Sequence, residues 1–430
     1  MLLYIIFLLV VSTFLGYLLI KRHPLWQQII IAISFGVLAG TLFESEFIQS
    51  ISWTGEVFLR LIKMLIAPVV FFTLIAGICS LDNVQSLGLI GSRAISLYLL
   101  TTLMAVSIGL IVGSILMPGS GVDSQIILST EPINVQSLPA TQLSLSQRLI
   151  NIIPVNPFYA LLTGNILSII FFAIVIGIGI IASGDKAKPF ALIMKCVSSV
   201  FIEITKAIMM LAPIGIFGLI AVNVAQHGFA VFEILSKLVI CVYLACFVQV
   251  SLVYGGILLQ LKRVSVLTFF RKIASPLGIA FSTASSSGTL PVTLTTVQEK
   301  LKVNPSVSGS VLPLGATINM DGTSIYIGLV AIFAAQVFNI PLGLSEFLMI
   351  ALTTTISSIG AAGVPSSALF MGISVLTVMG LSVEQAMIVV AFILPFDRIF
   401  DMIRTMTNVA GDCVVAYTVD RLLINRIDLS

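Results

Sequence analysis

Charged residues make up only 9% of this 430-residue chain, against 58% hydrophobic residues, and mean hydropathy is +1.16. A soluble domain carries about a quarter charged residues, so a water-soluble globular protein is excluded and an all-α polytopic membrane protein is indicated. Histidine is almost absent. His23 and His227 both fall at segment ends, which leaves no imidazole in an apolar segment to activate a nucleophile. No Lys lies near the Ser285–Ser287 run either, which argues against an intramembrane hydrolase. The five cysteines (Cys79, Cys196, Cys241, Cys246, Cys413) stand singly, without metal-type spacing, and read as small core hydrophobes. A Gly-x-x-x-x-Gly-Lys phosphate loop is missing, so ATP drive has no support. The net charge of +3 implies no nucleic-acid partner.

What is present is a series of apolar segments, at about 25–41, 53–79, 94–117, 149–182, 190–225 and 229–260, less regular thereafter. An apolar stretch from Met1 to Ile20 precedes them and is followed by Lys21, Arg22 and His23. It lacks a basic n-region and a small-residue cleavage site, so it reads as a retained extra helix rather than a signal peptide. Basic residues in alternate loops, among them Arg93, Lys186, Lys262, Arg271, Lys300 and Arg421, share the side of Lys21. Glu44, Asp123, Glu131 and Glu384 occupy the opposite side. This asymmetry predicts an outside N-terminus and a cytoplasmic C-terminus.

Against this background the stretch from Asp397 to Asp412 stands out. At about 100° per residue, Asp397, Asp401, Arg404, Asn408 and Asp412 fall within an arc of about 80° on one helix. A charge at the bilayer centre costs on the order of 3 kcal/mol on insertion scales, so such a stripe needs partners, ions or a water-filled cavity. Two other segments carry Ser/Thr/Gly/Pro centres between apolar flanks: Ser-Thr-Ala-Ser-Ser-Ser-Gly-Thr-Leu-Pro (282–291) and Thr-Thr-Thr-Ile-Ser-Ser-Ile-Gly-Ala-Ala-Gly-Val-Pro (353–365). These suit two re-entrant hairpins, since irregular backbone at membrane depth is tolerated only inside protein or beside a cavity. Ser286 precedes Asn319 by 33 residues and Gly363 precedes Asp397 by 34, the spacing of two repeats that would be inverted.

Asn319 and Asp321, in Leu-Gly-Ala-Thr-Ile-Asn-Met-Asp-Gly-Thr (314–323), offer amide, carboxylate and backbone oxygens in a short unwound stretch. Hard cations such as Na⁺ favour those donors, and Asn408 with Asp412 supplies a matching set. An Asn-x-Asp pair can also simply bridge neighbouring helices. Arg404 presents a planar fork suited to a carboxylate, and Asp401, one turn away, can accept an ammonium. Together with N–H groups at half-helix ends, this describes a site for an acidic amino acid. The alternative is an Asp401–Arg404 pair that only neutralises itself.

At these motifs the chain resembles the glutamate transporter family, the dicarboxylate/amino acid:cation symporters. The resemblance runs from about Leu25 to Ala416. It rests on Ser-Ser-Ser-Gly-Thr-Leu-Pro (285–291), Asn-Met-Asp-Gly-Thr (319–323), Gly-Ala-Ala-Gly-Val-Pro (360–365) and the 401–412 segment. It implies eight core transmembrane helices, two hairpins, a homotrimer in the plasma membrane, and an elevator-like motion. The chain would divide into the extra helix (1–23), scaffold and first helices (24–117), an external polar loop (118–147), scaffold and transport helices (148–260), and a transport core (261–430). The resemblance assigns the substrate amine to Asp401 and the side-chain carboxylate to Arg404. The α-carboxylate would go to Asn408, Ser286 and the backbone of the tip at Ser285. Thr323, Val364 and Thr405 would line the pocket, with Asp397 in support. One Na⁺ site would use Asp412 with backbone of Gly315, Asn319 and Asn408. A second would use Tyr98, Thr101, Thr102, Asn319 and Asp321. A third would use Thr317 with backbone of Ser358, Ile359 and Ala361. No organic cofactor is implied.

The chain also departs from the family pattern. Ala284 and Met402 stand where relatives carry a helper arginine, and Ile327 stands where the proton-carrying branch has a glutamate. Ser366 and Ala368 replace glycines of the second hairpin. Na⁺-driven symport of L-aspartate or L-glutamate is therefore the expectation, with a proton-coupled glutamate or C4-dicarboxylate carrier as the alternative. An ion channel, the reading from another class, would have no need of the Asp401–Arg404 pairing.

Overall fold

The computed structural model describes residues 2–21, 23–80, 89–122, 150, 153–163, 166–261, 264–359 and 367–427, and among them it is helical with no strand. In chain order the helices begin with α1 (Leu2–Ile20), α2 (Leu25–Leu42), α3 (Ser45–Gln49), α4 (Ser52–Ser80), α5 (Leu89–Leu116), α6 (Pro157–Thr163) and α7 (Ile166–Ala182). There follow α8 (Lys188–Met209), α9 (Ala212–His227), α10 (Ala230–Val248), a π-helical turn (Gln249–Tyr254), α11 (Gly255–Leu261) and α12 (Val266–Lys272). The last third comprises α13 (Ala274–Thr283), α14 (Ser286–Glu299), α15 (Pro305–Ile318), α16 (Asp321–Val337), α17 (Leu344–Ile359), α18 (Ser367–Val378), α19 (Val383–Ile393) and α20 (Asp397–Ile427).

Among the described residues, five helical stretches are long and apolar enough to cross a membrane, or six if the pair α8 and α9, bent by 53°, is one span. The chain is thus an integral, polytopic, all-helical membrane protein. Burial separates its spans into two kinds. The windows in 25–42, 45–79, 90–116 and 230–261 are 28–50% buried and so present apolar faces outward, whereas the window in 305–337 is wholly buried. Polar groups on α15 and α16 are thereby held among protein atoms, where they must find partners.

Small residues set the closest approaches. Gly36 and Gly40 lie four apart on α2, and a Cβ on Gly36 would fall 2.9 Å from the Ile220 side chain and from the Phe217 carbonyl of α9. Gly109 of α5 meets the Ile325 backbone of α16 in the same way, the close packing that bilayer-embedded helices use in place of a hydrophobic drive. Helix α1 lies on the α2–α3 corner. The Tyr4 hydroxyl donates to the Phe47 carbonyl at 2.7 Å, and Tyr4 and Phe7 pack on Phe43, with ring centroids 5.2 and 5.3 Å apart.

Helices α13 and α14 pack on one another and on α20, and only Ala284 and Ser285 join them. Ser285 caps α14, its hydroxyl accepting from the Gly288 N–H at 3.1 Å. Helices α17 and α18 likewise pack together. The Gly-Ala-Ala-Gly-Val-Pro motif between them lies outside the described residues, as does most of the 118–147 loop.

Candidate functional site

The site is built on a broken helix crossing a continuous one. Helix α15 stops at Ile318, Asn319 is extended (φ −81°, ψ 92°), Met320 is non-helical (φ −117°, ψ 46°), and α16 restarts at Asp321. A break of this kind leaves carbonyls at one end and N–H groups at the other without helical partners, and α20 supplies a partner for one of them and further bonds to the side chains at the break. The Gly322 N–H donates to Asn408 Oδ1 at 2.7 Å. Asn319 Nδ2 donates to the Asn408 carbonyl at 3.2 Å and to Asp412 Oδ1 at 2.9 Å. Asn408 Nδ2 donates to the Met320 sulfur at 3.3 Å. Glycine is required at two of the crossings. A Cβ on Gly322 would collide with the Arg404 backbone, 2.7 Å from its Cα, and one on Gly315 would fall on the Asp412 carboxylate and the Tyr98 hydroxyl.

One turn toward the start of α20 lies a fully buried ionic group. Arg404 is 1% exposed. Its Nη2 donates to Asp401 Oδ1 at 2.7 Å, its Nη1 lies 3.4 Å from Asp397 Oδ1, and the guanidinium carbon sits 4.3 Å from the Tyr326 ring centroid. A cation over an aromatic face gains electrostatically when desolvated. The Asp401–Arg404 pairing is thus made in this structure. Yet Nε and Nη1 of Arg404 have no hydrogen-bond partner among the described residues, so the fork retains donors for an anion.

A second polar centre surrounds Asp321, which is 0% exposed. The Thr102 hydroxyl donates to Oδ1 at 2.7 Å, the Tyr254 hydroxyl to Oδ2 at 2.7 Å, and Gln249 Nε2 to Oδ2 at 3.2 Å. Gln249 and Tyr254 bound the π-helical turn, a distortion that recurs at functional sites. Asn319 Oδ1 and Gln249 Oε1 are buried without a hydrogen-bond partner among the described residues. Orphaned amide oxygens beside two carboxylates are what an oxygen-preferring cation would fit.

The other residues singled out from sequence are distributed around these centres. Tyr98 donates to the Val311 carbonyl at 3.1 Å, the Thr101 hydroxyl to the Tyr98 carbonyl at 3.1 Å, the Thr317 hydroxyl to the Leu314 carbonyl at 2.9 Å, and the Ser358 hydroxyl to the Thr355 carbonyl at 3.0 Å. Ser286, Thr323 and Thr405 are buried, while Ile359 ends α17. Ala361 and Val364 lie outside the described residues. The sequence reading missed Gln249, Tyr254 and Tyr326. A glutamine inside an apolar run was a usable signal for the first; nothing local distinguishes the two tyrosines from interfacial aromatics.

With this geometry in place, comparison with known proteins defines the class. The sodium:dicarboxylate symporter family matches residues 25–422, and the chain belongs to that family. A proton/sodium-glutamate symport protein of Bacillus caldotenax is 34% identical over 406 residues, covering 92% of this chain and 94% of its own. The C4-dicarboxylate transport protein 2 of Pseudomonas aeruginosa is 33% identical over 399 residues (92% and 90%). The proton/glutamate-aspartate symporter of Escherichia coli is 31% identical over 412 residues (93% and 93%). The protein is therefore a membrane symporter and not an enzyme.

The glycine crossing gives a direct test. Gly322→Ala must push the Arg404 backbone aside, and misplacing a binding group by about 1 Å costs on the order of 100-fold; uptake should fall to near background. Gly328→Ala on the same helix, where the nearest atom to the new Cβ is 3.6 Å away, should leave uptake unchanged. Equal activity in the two variants would show that the α16–α20 crossing is not critical.

Proposed function

We propose that this protein carries an acidic amino acid, L-aspartate or L-glutamate, into a bacterial cell together with Na⁺. One observation carries the reading: a fully buried Arg404, oriented by Asp401, Asp397 and Tyr326, whose Nε and Nη1 make no hydrogen bond among the described residues. These donors suit the substrate's side-chain carboxylate. Asp401 then shifts from Arg404 toward the substrate ammonium, while Ser286, the tip backbone at Ser285, and Asn408 take the α-carboxylate. Thr323, Thr405 and Val364 complete the pocket.

Charge supports cation coupling. Asp397 and Asp401 are balanced by Arg398 and Arg404, so the substrate group is formally neutral. Asp321 and Asp412 add two negative charges, and an acidic amino acid adds one. Uncompensated buried charge is costly, so three monovalent cations would restore neutrality. We assign them to Asp412 with Gly315, Asn319 and Asn408, to Asp321 with Tyr98, Thr101, Thr102 and Asn319, and to Thr317 with Ser358, Ile359 and Ala361. Ile327, buried and apolar on α16, gives no acid for proton carriage at that position.

The architecture we assign is eight core helices, two re-entrant hairpins (α13–α14 and α17–α18) in inverted repeats, and the extra helix α1, with an outside N-terminus in the inner membrane. Elevator-type movement of the 261–430 core would alternate access. We assign a homotrimer as well; the Glu203–Lys206 pair on α8 leaves side chains 70% and 55% accessible. Such charges are better housed at a protein interface or headgroup layer than in lipid.

C4-dicarboxylate transport is the second reading, favoured by relatives of that name as similar to this chain as the glutamate carriers. Labelled aspartate, glutamate and succinate should be offered to proteoliposomes under an imposed Na⁺ or pH gradient. Amino-acid uptake that needs Na⁺ and ignores pH is the expected result. Succinate uptake alone would transfer the assignment to dicarboxylates, and uptake driven by pH alone would give the carboxylates to protons.

A further inference from the structure

The guanidinium of Arg398 reaches from the first turn of α20 to the end of α13. Its Nη2 donates to the Ser282 carbonyl at 3.2 Å and to the Thr283 carbonyl at 3.1 Å. These are carbonyls of the last turn of α13, which the helix itself leaves without donors. A cation there also meets the negative end of the helix dipole. The next residue, Ala284, is held at φ +52°, in the left-handed region. A residue bearing a Cβ is disfavoured in that region, and it persists only where the surroundings over-determine it. Ser285 and Ser286 follow at once, and Ser286 is 4% exposed. Arg398 lies between Asp397 and Asp401 in sequence, so the same helical turn that carries the ionic group also grips the tip.

The geometry points to Arg398 as a positioning residue for substrate binding: it fastens the Ser285–Ser286 tip to the helix bearing Asp401 and Arg404. This rests on the reading of Asp401 and Arg404 as the substrate site. The tether fixes the distance between the two halves of the pocket, one binding through tip N–H groups and hydroxyls, the other through side-chain charges. Both bonds come from the single nitrogen Nη2, held out by the planar guanidinium; a lysine ammonium in its place would donate from a more flexible stem.

The consequence is a selective loss of affinity. Arg398→Met should raise KM about tenfold, the scale of one lost charge-assisted hydrogen bond, for whichever of L-aspartate, L-glutamate or succinate the wild type takes up. Vmax should stay within about twofold and the Na⁺ concentration for half-maximal uptake should not move. Arg398→Lys should fall between. Adding Ala284→Gly to Arg398→Met should recover part of the KM, because glycine takes φ +52° without a Cβ penalty. A purely structural role would lower Vmax and thermal stability without this rescue. An unchanged KM in Arg398→Met overturns the proposal.

The tether has a second readout that needs no substrate. Ser287 is exposed beside the tip, and among the free cysteines Cys196 is exposed while Cys79, Cys241, Cys246 and Cys413 are buried. In a Cys196→Ser background, Ser287→Cys should react with an aqueous maleimide several-fold faster when Arg398→Met is added. An unaltered rate removes the tether. If the wild type took up none of the three acids, the substrate reading would fall, and the labelling rate would still decide whether Arg398 holds the tip.

Discussion

Arg404→Cys should abolish uptake of acidic substrates, the largest loss expected of any single change in the proposed pocket. The guanidinium is 1% exposed and bridges two buried carboxylates, Asp397 and Asp401. Removing one partner of such a group leaves uncompensated charge and costs about 3–5 kcal/mol, equivalent to about 150- to 5,000-fold in affinity. Two effects combine here: the substrate carboxylate loses its fork, and Asp401 loses the cation that orients it. Arg404→Lys separates them. It retains a charge for Asp401 and should keep much of the thermal stability, yet it lacks a planar fork and should still lose at least tenfold in uptake. Detergent-solubilised protein monitored by size exclusion and thermal unfolding, alongside uptake into proteoliposomes, distinguishes the outcomes. Unchanged aspartate uptake in a correctly inserted Arg404→Cys protein would remove Arg404 from the substrate site, and the self-neutralising ion pair would be the better description.

Asp412→Asn should have the second-largest effect, on coupling rather than on the pocket. Asp412 is 3% exposed and accepts from Asn319 Nδ2 at 2.9 Å, at the point where the broken helix meets α20. Replacing it with an amide deletes one buried negative charge with little change of volume. By the neutrality argument one fewer cation is then required. The Na⁺ concentration for half-maximal uptake should rise at least tenfold, and the charge moved per substrate, read from the response to an imposed membrane potential, should fall by one. Asp321→Asn should act in the same direction, but with additional loss of stability, because Thr102, Tyr254 and Gln249 all donate to that carboxylate. An Asp412→Asn protein with unaltered Na⁺ response and unaltered charge movement would eliminate Asp412 as a cation ligand.

Much of the site was legible in the chain because its signals are local. Asp397, Asp401, Arg404, Asn408 and Asp412 share one face of one helix, so helical periodicity alone aligns them. The break at Asn319–Met320 was legible for a similar reason, since Gly315 and Gly322 bracket two oxygen-bearing side chains in an apolar run. The structure adds a reason for Gly322 that periodicity does not contain, namely the Arg404 backbone pressed against it.

Hydropathy and the scarcity of charge by themselves determined that this protein lives in a membrane, because no other solvent accommodates such a chain. The spacing of its few polar residues determined which helix would carry the polar stripe. Only the tertiary structure decided the partners. Thr102 meets Asp321 across 219 residues, Tyr254 across 67, and Arg398 reaches Ser282 across 116. Contacts so distant in sequence leave no periodic trace; they exist because a buried polar group must be satisfied by whatever packing brings within about 3 Å. The same physics explains Tyr326, a ring that is ordinary in sequence and becomes part of the site only when Arg404 is folded over its face.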